Sequence, residues 1–284
     1  MKTSELFKRK TVLSYEVFPP KPTAPVNTIY DTLDKLRELS PDFISVTYGA
    51  GGGKNNNETL KIASEIKGYS IESVAHLPCI GLTKKDVAEK LRELNRIGVE
   101  NILALRGDIP KDGYVQGNFR YACELIEFIK TQGDFDITAA CYPEGHMECR
   151  NKVEDIQNLK CKVDAGADHL ITQLFFDNDY FYSFRERCQL AGIDVPIEAG
   201  IMPVLNKKQI ERMASLCGAT VPKKFVVMME RYENNPIAMR DAGIAYAVDQ
   251  IVDLIAQGVD GIHLYTMNNP YIAQKVYEAV HNFI

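Results

Sequence analysis

The chain has 284 residues, 45% of them hydrophobic and 25% charged, and a formal net charge of −5. This is ordinary globular composition with material for a large core, and the dispersed Lys and Arg argue against a nucleic-acid surface, which would gather them into a basic patch. No apolar run nears the ~20 residues that cross a bilayer, and MKTSELFKRK lacks the apolar centre of a secretory signal, so a cytoplasmic protein with no membrane span is expected.

In chain order, TVLSYEVFPP (11–20) reads as a strand stopped by Pro19 and Pro20, and VNTIYDTLDKLREL (26–39) as an amphipathic helix. DFISVTYGAGGG (42–53) is a strand ending in glycines, followed by the helix NNETLKIASEIKG (56–68). SVAHLPCIG (73–81) precedes the helix TKKDVAEKLRELNRIG (83–98), with Thr83 as N-cap and Gly98 as its stop. NILALRGD continues the rhythm, with a helix near 118–131. Then come DITAACYPE (136–144) with VEDIQNLKCKVDAG (153–166), and HLITQLFF (169–176) with DYFYSFRERCQLAG (179–192). VPIEAGIMPV (195–204) pairs with KKQIERMASLCG (207–218), an extra helical stretch covers roughly 221–257, and GIHLYTMNN (261–269) leads into a closing helix at 270–282.

The strand segments are nearly continuous apolar runs, which suit parallel strands buried on both faces. Eight strand–helix units with no linker between them give either an open doubly wound sheet or a closed barrel. Eight is the barrel number, and no G-x-G-x-x-G follows the first strand. The expected fold is therefore an α/β (β/α)8 TIM barrel, one catalytic domain spanning residues 1–284.

Active sites of such barrels lie at the C-terminal ends of the strands. Reading those ends gives Glu16, then Thr47 and Tyr48, His76, Arg106 and Asp108, Tyr142 and His146, Gln173, Met202 and Tyr265. Polar groups interrupting apolar strands at one rim point to a site. Glu16 is the sharpest case. Flanked by Tyr15, Val17 and Phe18, its carboxyl loses hydration, its pKa should rise, and it can serve as a general acid. A buried Glu paired with an Arg from a neighbouring strand fits equally well. Arg106-Gly107-Asp108, just after a buried run, is either a surface turn or a ligand contact.

Other motifs carry less. YGAGGG (48–53) can bring backbone amides to a phosphate but lacks the Lys-Ser/Thr end of a nucleotide loop. CYPEGHMEC (141–149) has a C-x4-H-x2-C spacing that is a poor zinc pattern without a fourth ligand, so no metal is expected. The seven cysteines include no C-x-x-C pair and read as free thiols. His169 and His281 have no partner pattern and read as structural or exposed.

Taken together, YEVFPPK, FISVTYGAGG, AHLPCIG, ILALRGDIP, AACYPEGH, NLKCKVDAGADHLITQLFFD and GIMPV resemble, in order and over nearly the whole chain, the signature runs of the 5,10-methylenetetrahydrofolate reductase family in its short bacterial form. The resemblance implies a (β/α)8 barrel with non-covalent FAD. It implies reduction of 5,10-methylenetetrahydrofolate to 5-methyltetrahydrofolate by a ping-pong cycle, in which NADH or NADPH and then the folate use the same flavin face. Glu16 matches the glutamate held to protonate the folate and open its imidazolidine ring. Asp108 matches the aspartate between flavin and folate, able to hold the pterin and favour a developing cation. Gln173 and Gln209 match substrate contacts. For FAD, the matching residues are Thr47, Tyr48, Ala50, His76, Arg106, Gly107 and Asp108, then Tyr121 and Ala122, then Tyr142 and His146, and finally Asp155, Asn158 and Lys162. The last three are spaced to share one helix face. On this reading Arg106 and Asp108 are ligand contacts, and Gly107 lets the backbone approach the isoalloxazine.

Two residues depart from the pattern: Cys161 and Asn269 stand where some relatives carry a basic residue. The resemblance also implies some homo-oligomeric assembly. It leaves open a variant in which a partner protein, not a nicotinamide, delivers the electrons, and a flavin-free folate-binding barrel is a third reading.

Overall fold

The computed structural model describes residues 1–20, 27–48, 56–109 and 117–284. Eight parallel strands close into a barrel in sequence order: β1 (Val12–Val17), β2 (Phe43–Val46), β3 (Glu72–Pro78), β4 (Asn101–Leu105), β5 (Asp136–Cys141), β6 (His169–Thr172), β7 (Ile197–Ile201) and β8 (Gly261–Tyr265). The register closes through β1 and β8, where Ser14 pairs with His263 and Glu16 with Tyr265. The barrel expected from the run of eight units is the one observed.

The helices α1 (Asn27–Arg37), α2 (Asn56–Gly68), α3 (Lys84–Arg96), α4 (Ala122–Gln132), α5 (Lys152–Asp164) and α6 (Asn178–Leu190) alternate with the first strands. Outward residues of the strands, such as Leu13, Tyr15, Val17, Ile44 and Val46, join the apolar faces of these helices in one continuous core. Thr83 caps α3 as expected, in a reciprocal capping box with Asp86, and Gly98 follows the helix at φ +75°.

After α7 (Lys207–Cys217), the extra stretch is two helices, α8 (Lys223–Tyr232) and α9 (Pro236–Ala256), before β8 and the closing α10 (Pro270–Val280). The break has a local cause: the Asn235 side chain accepts from the Ala238 backbone N–H, and Pro236 takes the first helical position. These helices roof an apolar cluster of Leu174, Phe176, Met202, Phe225 and Met239. Gly243 of α9 lies so close to the preceding loop that a Cβ there would meet the Val204 carbonyl oxygen at 1.8 Å. Because a backbone atom cannot give way cheaply, Gly243→Ala is expected to cost about 1–3 kcal/mol or more. Chemical denaturation of the variant checks this, and an unchanged midpoint would show that α9 can shift off the barrel without penalty.

At the barrel's N-terminal end the 3-10 segment Thr3–Lys8 acts as a plug. Thr3 and Ser4 donate to the Asp136 carboxylate at 2.6–2.9 Å, and the Phe7 ring lies 5.0 Å from that of His169. The C-terminal mouth is the end left for chemistry.

Candidate active site at the C-terminal mouth

Side chains alternate along a strand, so Ser14 and Glu16 face the barrel interior while Tyr15 and Val17 face the helices and are fully buried there. The apolar neighbours that the sequence sets beside Glu16 therefore point away from it. Nor is its partner an arginine. Glu16 Oε2 lies 3.6 Å from His76 Nε2 and 3.7 Å from His263 Nε2. Burial lowers the His76 pKa to about 4 against the pull of Glu16, so this imidazole is neutral near pH 7. The Glu16 side chain keeps 19% of its exposure and opens to the mouth.

The ends of β1 and β8 are tied together around this carboxyl. Thr266 Oγ1 donates to the Glu16 carbonyl at 2.6 Å, and the Asn268 side chain both accepts from and donates to the Phe18 backbone at 3.0 and 2.8 Å. Met267 and Asn268 adopt positive φ to make that turn.

A cavity of about 420 Å³ opens beside β4 and β5, within the range of small-ligand sites. Its wall brings together Arg106, Tyr121, Ala122 and Tyr142 with His146, Asp155, Asn158 and Lys162. The last three do share one face of α5. Lys162 is held in the wall by donating to the Ala140 carbonyl at 2.8 Å, and burial lowers its pKa. An ammonium has three donors, so that one bond leaves capacity for an anionic ligand group. Asp155 is buried and accepts from the His146 backbone N–H at 3.2 Å, and the Tyr142 and His146 rings meet edge-on at 4.6 Å. Arg106 is gripped through both terminal nitrogens by Glu148, a residue of the same wall that sequence reasoning did not single out.

The remaining expected residues are placed differently. Tyr48 and His76 line a small separate cleft, with the Lys90 ammonium 5.5 Å from the Tyr48 ring. Thr47 accepts through its carbonyl from Thr59. Gly107 has a φ of +86°, and a Cβ there would lie 2.9 Å from Pro78 Cβ and 3.0 Å from Ile80 Cγ2. Asp108 is exposed at the rim. Gln173 folds its Oε1 back onto the Leu174 N–H at 2.9 Å, and Gln209 sits in the first turn of α7, where its N–H donates to the Asn206 cap. None of these three lines the large cavity. Ala50 lies outside the described residues. Cys161, one of the two departures, is exposed on the cavity wall, and Asn269 precedes α10.

Sequence reasoning missed the interior below Glu16. Ser14, Ser45, Thr138, His169, Glu198 and His263 are all buried inside the barrel. Their signal was available as polar residues at alternate positions of strands, such as Ser14 and Glu16 or His263 and Tyr265.

A closed (β/α)8 barrel with a carboxyl–imidazole cluster and an open cavity at its C-terminal mouth has the layout of a barrel enzyme. The family model for methylenetetrahydrofolate reductase matches residues 2–281. The chain belongs to that family of oxidoreductases, whose reaction is the reduction of methylenetetrahydrofolate. It is 37% identical over 265 residues to the 5,10-methylenetetrahydrofolate reductase of Escherichia coli K12, covering 93% of this chain and 88% of that one. With the enzyme of Pectobacterium carotovorum the identity is 36% over the same shares. An Arabidopsis thaliana relative named methylenetetrahydrofolate reductase (NADH) 1 is 37% identical over 91% of this chain and 46% of its own length. Among solved structures, a Clostridium thermocellum protein described as binding two copies of 5-methyl-5,6,7,8-tetrahydrofolic acid superposes with a TM-score of 0.72 over 100% of this chain and 99% of that one. At 14% identity it supports the barrel fold alone.

Proposed function

We propose that this chain works as one catalytic barrel that reduces 5,10-methylenetetrahydrofolate to 5-methyltetrahydrofolate, using non-covalent FAD and NADH or NADPH in two separate half-reactions. The observation that carries the reading is Glu16, held between His76 and His263 at the same end of the barrel as the cavity of β4, β5 and α5. The NADH in the plant relative's name supports a nicotinamide donor.

The cavity suits a flavin nucleotide. Lys162 supplies a cationic donor for a phosphate and Arg106, paired with Glu148, walls the site, while Asp155 and Asn158 offer the acceptor and amide that a ribose needs. Ala104, Ala122 and Leu159 give the wall apolar patches. When bound, FAD supplies the hydride transfer. Glu16 supplies the proton to the folate nitrogen that leaves as the five-membered ring opens. Asp108 at the rim stabilises positive charge on the pterin, and Gln173 and Gln209 orient it.

The test is an anaerobic titration of the purified protein with NADH and NADPH, followed by methylenetetrahydrofolate, with flavin absorbance as the readout. Bleaching by a nicotinamide and recovery on adding folate is the expected result. Recovery by folate of chemically reduced flavin, without bleaching by either nicotinamide, would replace the nicotinamide with a partner protein as donor. A protein that takes up no FAD would end the flavin reading.

A further inference from the structure

Resting on the reading of Glu16 as the acid, we infer that Glu198 is the inner end of a proton relay. The relay runs through Ser14 and His263 to Glu16 and holds the proton that Glu16 delivers.

The path runs from the buried interior to the mouth. Ser14 Oγ lies 2.8 Å from Glu198 Oε1 and 2.6 Å from His263 Nδ1, and the other nitrogen of that ring, Nε2, lies 3.7 Å from Glu16 Oε2. Glu198, Ser14 and His263 are each 0% exposed, and only Glu16 reaches solvent. The barrel wall is cut away to admit the inner carboxyl. Glu198 pairs in register with Gly261, where a Cβ would strike Glu198 Cγ at 2.7 Å.

Among the described residues no cation is paired with Glu198, as a buried ion pair would require. His169 is the nearest candidate, with Nε2 at 3.9 Å from Glu198 Oε2, but that nitrogen is 3.0 Å from Thr138 Oγ1. Burial lowers the His169 pKa to about 4, so it is neutral near pH 7. Burial opposes ionisation of Glu198 most strongly, the hydrogen bond from Ser14 favours it, and the nearby Asp42 and Asp260 oppose it. Glu198 Oε2 has no hydrogen-bond partner among the described residues, as suits a neutral acid better than a carboxylate. At the outer end, Glu16 faces His76, His263 and the buried Tyr265, and His263 also faces Ser45 at 3.5 Å.

In the structure the Ser14 hydroxyl donates to Glu198 Oε1; in the loaded state of the relay that hydroxyl turns to His263 and the Glu198 hydroxyl donates to Ser14 Oγ. Ser14 donates to His263 Nδ1, and His263 Nε2–H faces the Glu16 carboxylate. Moving each proton one place transfers one proton from Glu198 to Glu16. The bonds that break are Glu198 O–H, Ser14 O–H and His263 Nε2–H; those that form are Ser14 O–H, His263 Nδ1–H and Glu16 O–H. Ser14 and His263 end neutral, with the imidazole in its other tautomer. Once Glu16 has given its proton to substrate, solvent at the mouth recharges the relay by the reverse path. Glu198 is thus a positioning residue for a proton and touches no substrate.

Glu198→Gln keeps the shape and the contact with Ser14 but cannot release a proton. In the protein without ligands, the infrared carbonyl band of a buried carboxylic acid is expected in wild type and absent in Glu198→Gln, with a changed His263 tautomer in ¹⁵N NMR. With cofactor, folate-driven reoxidation of the flavin should slow at least ~10-fold with an altered pH profile, while reduction by the donor stays within about twofold. Ser14→Ala breaks the same path without touching the carboxyl and carries the test should Glu198→Gln fail to fold. Absence of the acid band, or a wild-type rate and pH profile for folate reduction in these variants, overturns the relay. Glu16→Gln separates the two failures. If it loses folate reduction while the inner variants do not, the relay is wrong and the Glu16 reading stands; if it reduces folate normally, that reading fails first.

Discussion

Glu16→Gln is expected to slow reduction of methylenetetrahydrofolate by ~10²–10⁴-fold, the usual worth of a positioned general acid, while its flavin is still reduced by the nicotinamide donor. The amide keeps the volume of the carboxyl and its place between His76 and His263, so the mouth should hold its shape. What it loses is the transferable proton. Hydride delivery to a flavin needs no acid at this position, whereas opening the folate ring leaves a nitrogen that must be protonated. The two half-reactions should therefore separate in anaerobic stopped-flow absorbance, with bleaching by donor near the wild-type rate and recovery by folate strongly slowed. Equal slowing of both would assign Glu16 to binding the flavin or shaping the site rather than to proton transfer.

The barrel was legible because the features that specify it are local and repeated. Apolar runs of strand length alternate with amphipathic helices, and each side chain's face follows from period two or period 3.6. The rim was legible for the same reason: once strand ends are known, the residues there are known. Arg106, Tyr142, His146, Asp155, Asn158 and Lys162 come from three segments, and the fold gathers them on one cavity wall.

What did not show was anything that depends on which strands face each other. Glu16 was singled out, but its environment was read from Tyr15, Val17 and Phe18, the first two of which lie on the opposite face. The residues that surround it, His76 and His263, come from β3 and β8. Glu198 passed as part of an apolar strand because the glycine that makes room for it, Gly261, belongs to another strand, β8. Likewise Asn235 and Pro236, which divide the long helical stretch, are ordinary cap signals that the continuous apolar periodicity around them masked. The pairing of Arg106 with Glu148 joins the end of β4 to the loop after β5, a contact that no spacing within either segment encodes.

The same interior sets a pH dependence of stability in which two kinds of group oppose each other. His76 and His169 have pKa values lowered by burial to about 4, against ~6.5 in the unfolded chain. As pH falls from ~6.5 toward 4 the unfolded chain takes up two protons that the native state refuses. Their contribution is present above ~6.5 and lost on acidification, at up to ~1.4 kcal/mol per pH unit for each imidazole. Glu198 acts with the opposite sign. Burial pushes its pKa well above the ordinary 4.5, so the native state keeps a proton that the unfolded chain releases, and stability is lost as pH rises. Above pH ~4.5 Glu198 therefore opposes the two imidazoles, and the loss of stability on acidification is smaller than they alone would give. Glu198→Gln removes the opposing proton, and the slope should approach ~2.7 kcal/mol per pH unit. Urea denaturation of both proteins at several pH values across this window gives the two slopes. Parallel lines would mean that Glu198 is already ionised in the native barrel, and the neutral inner acid would have to be abandoned.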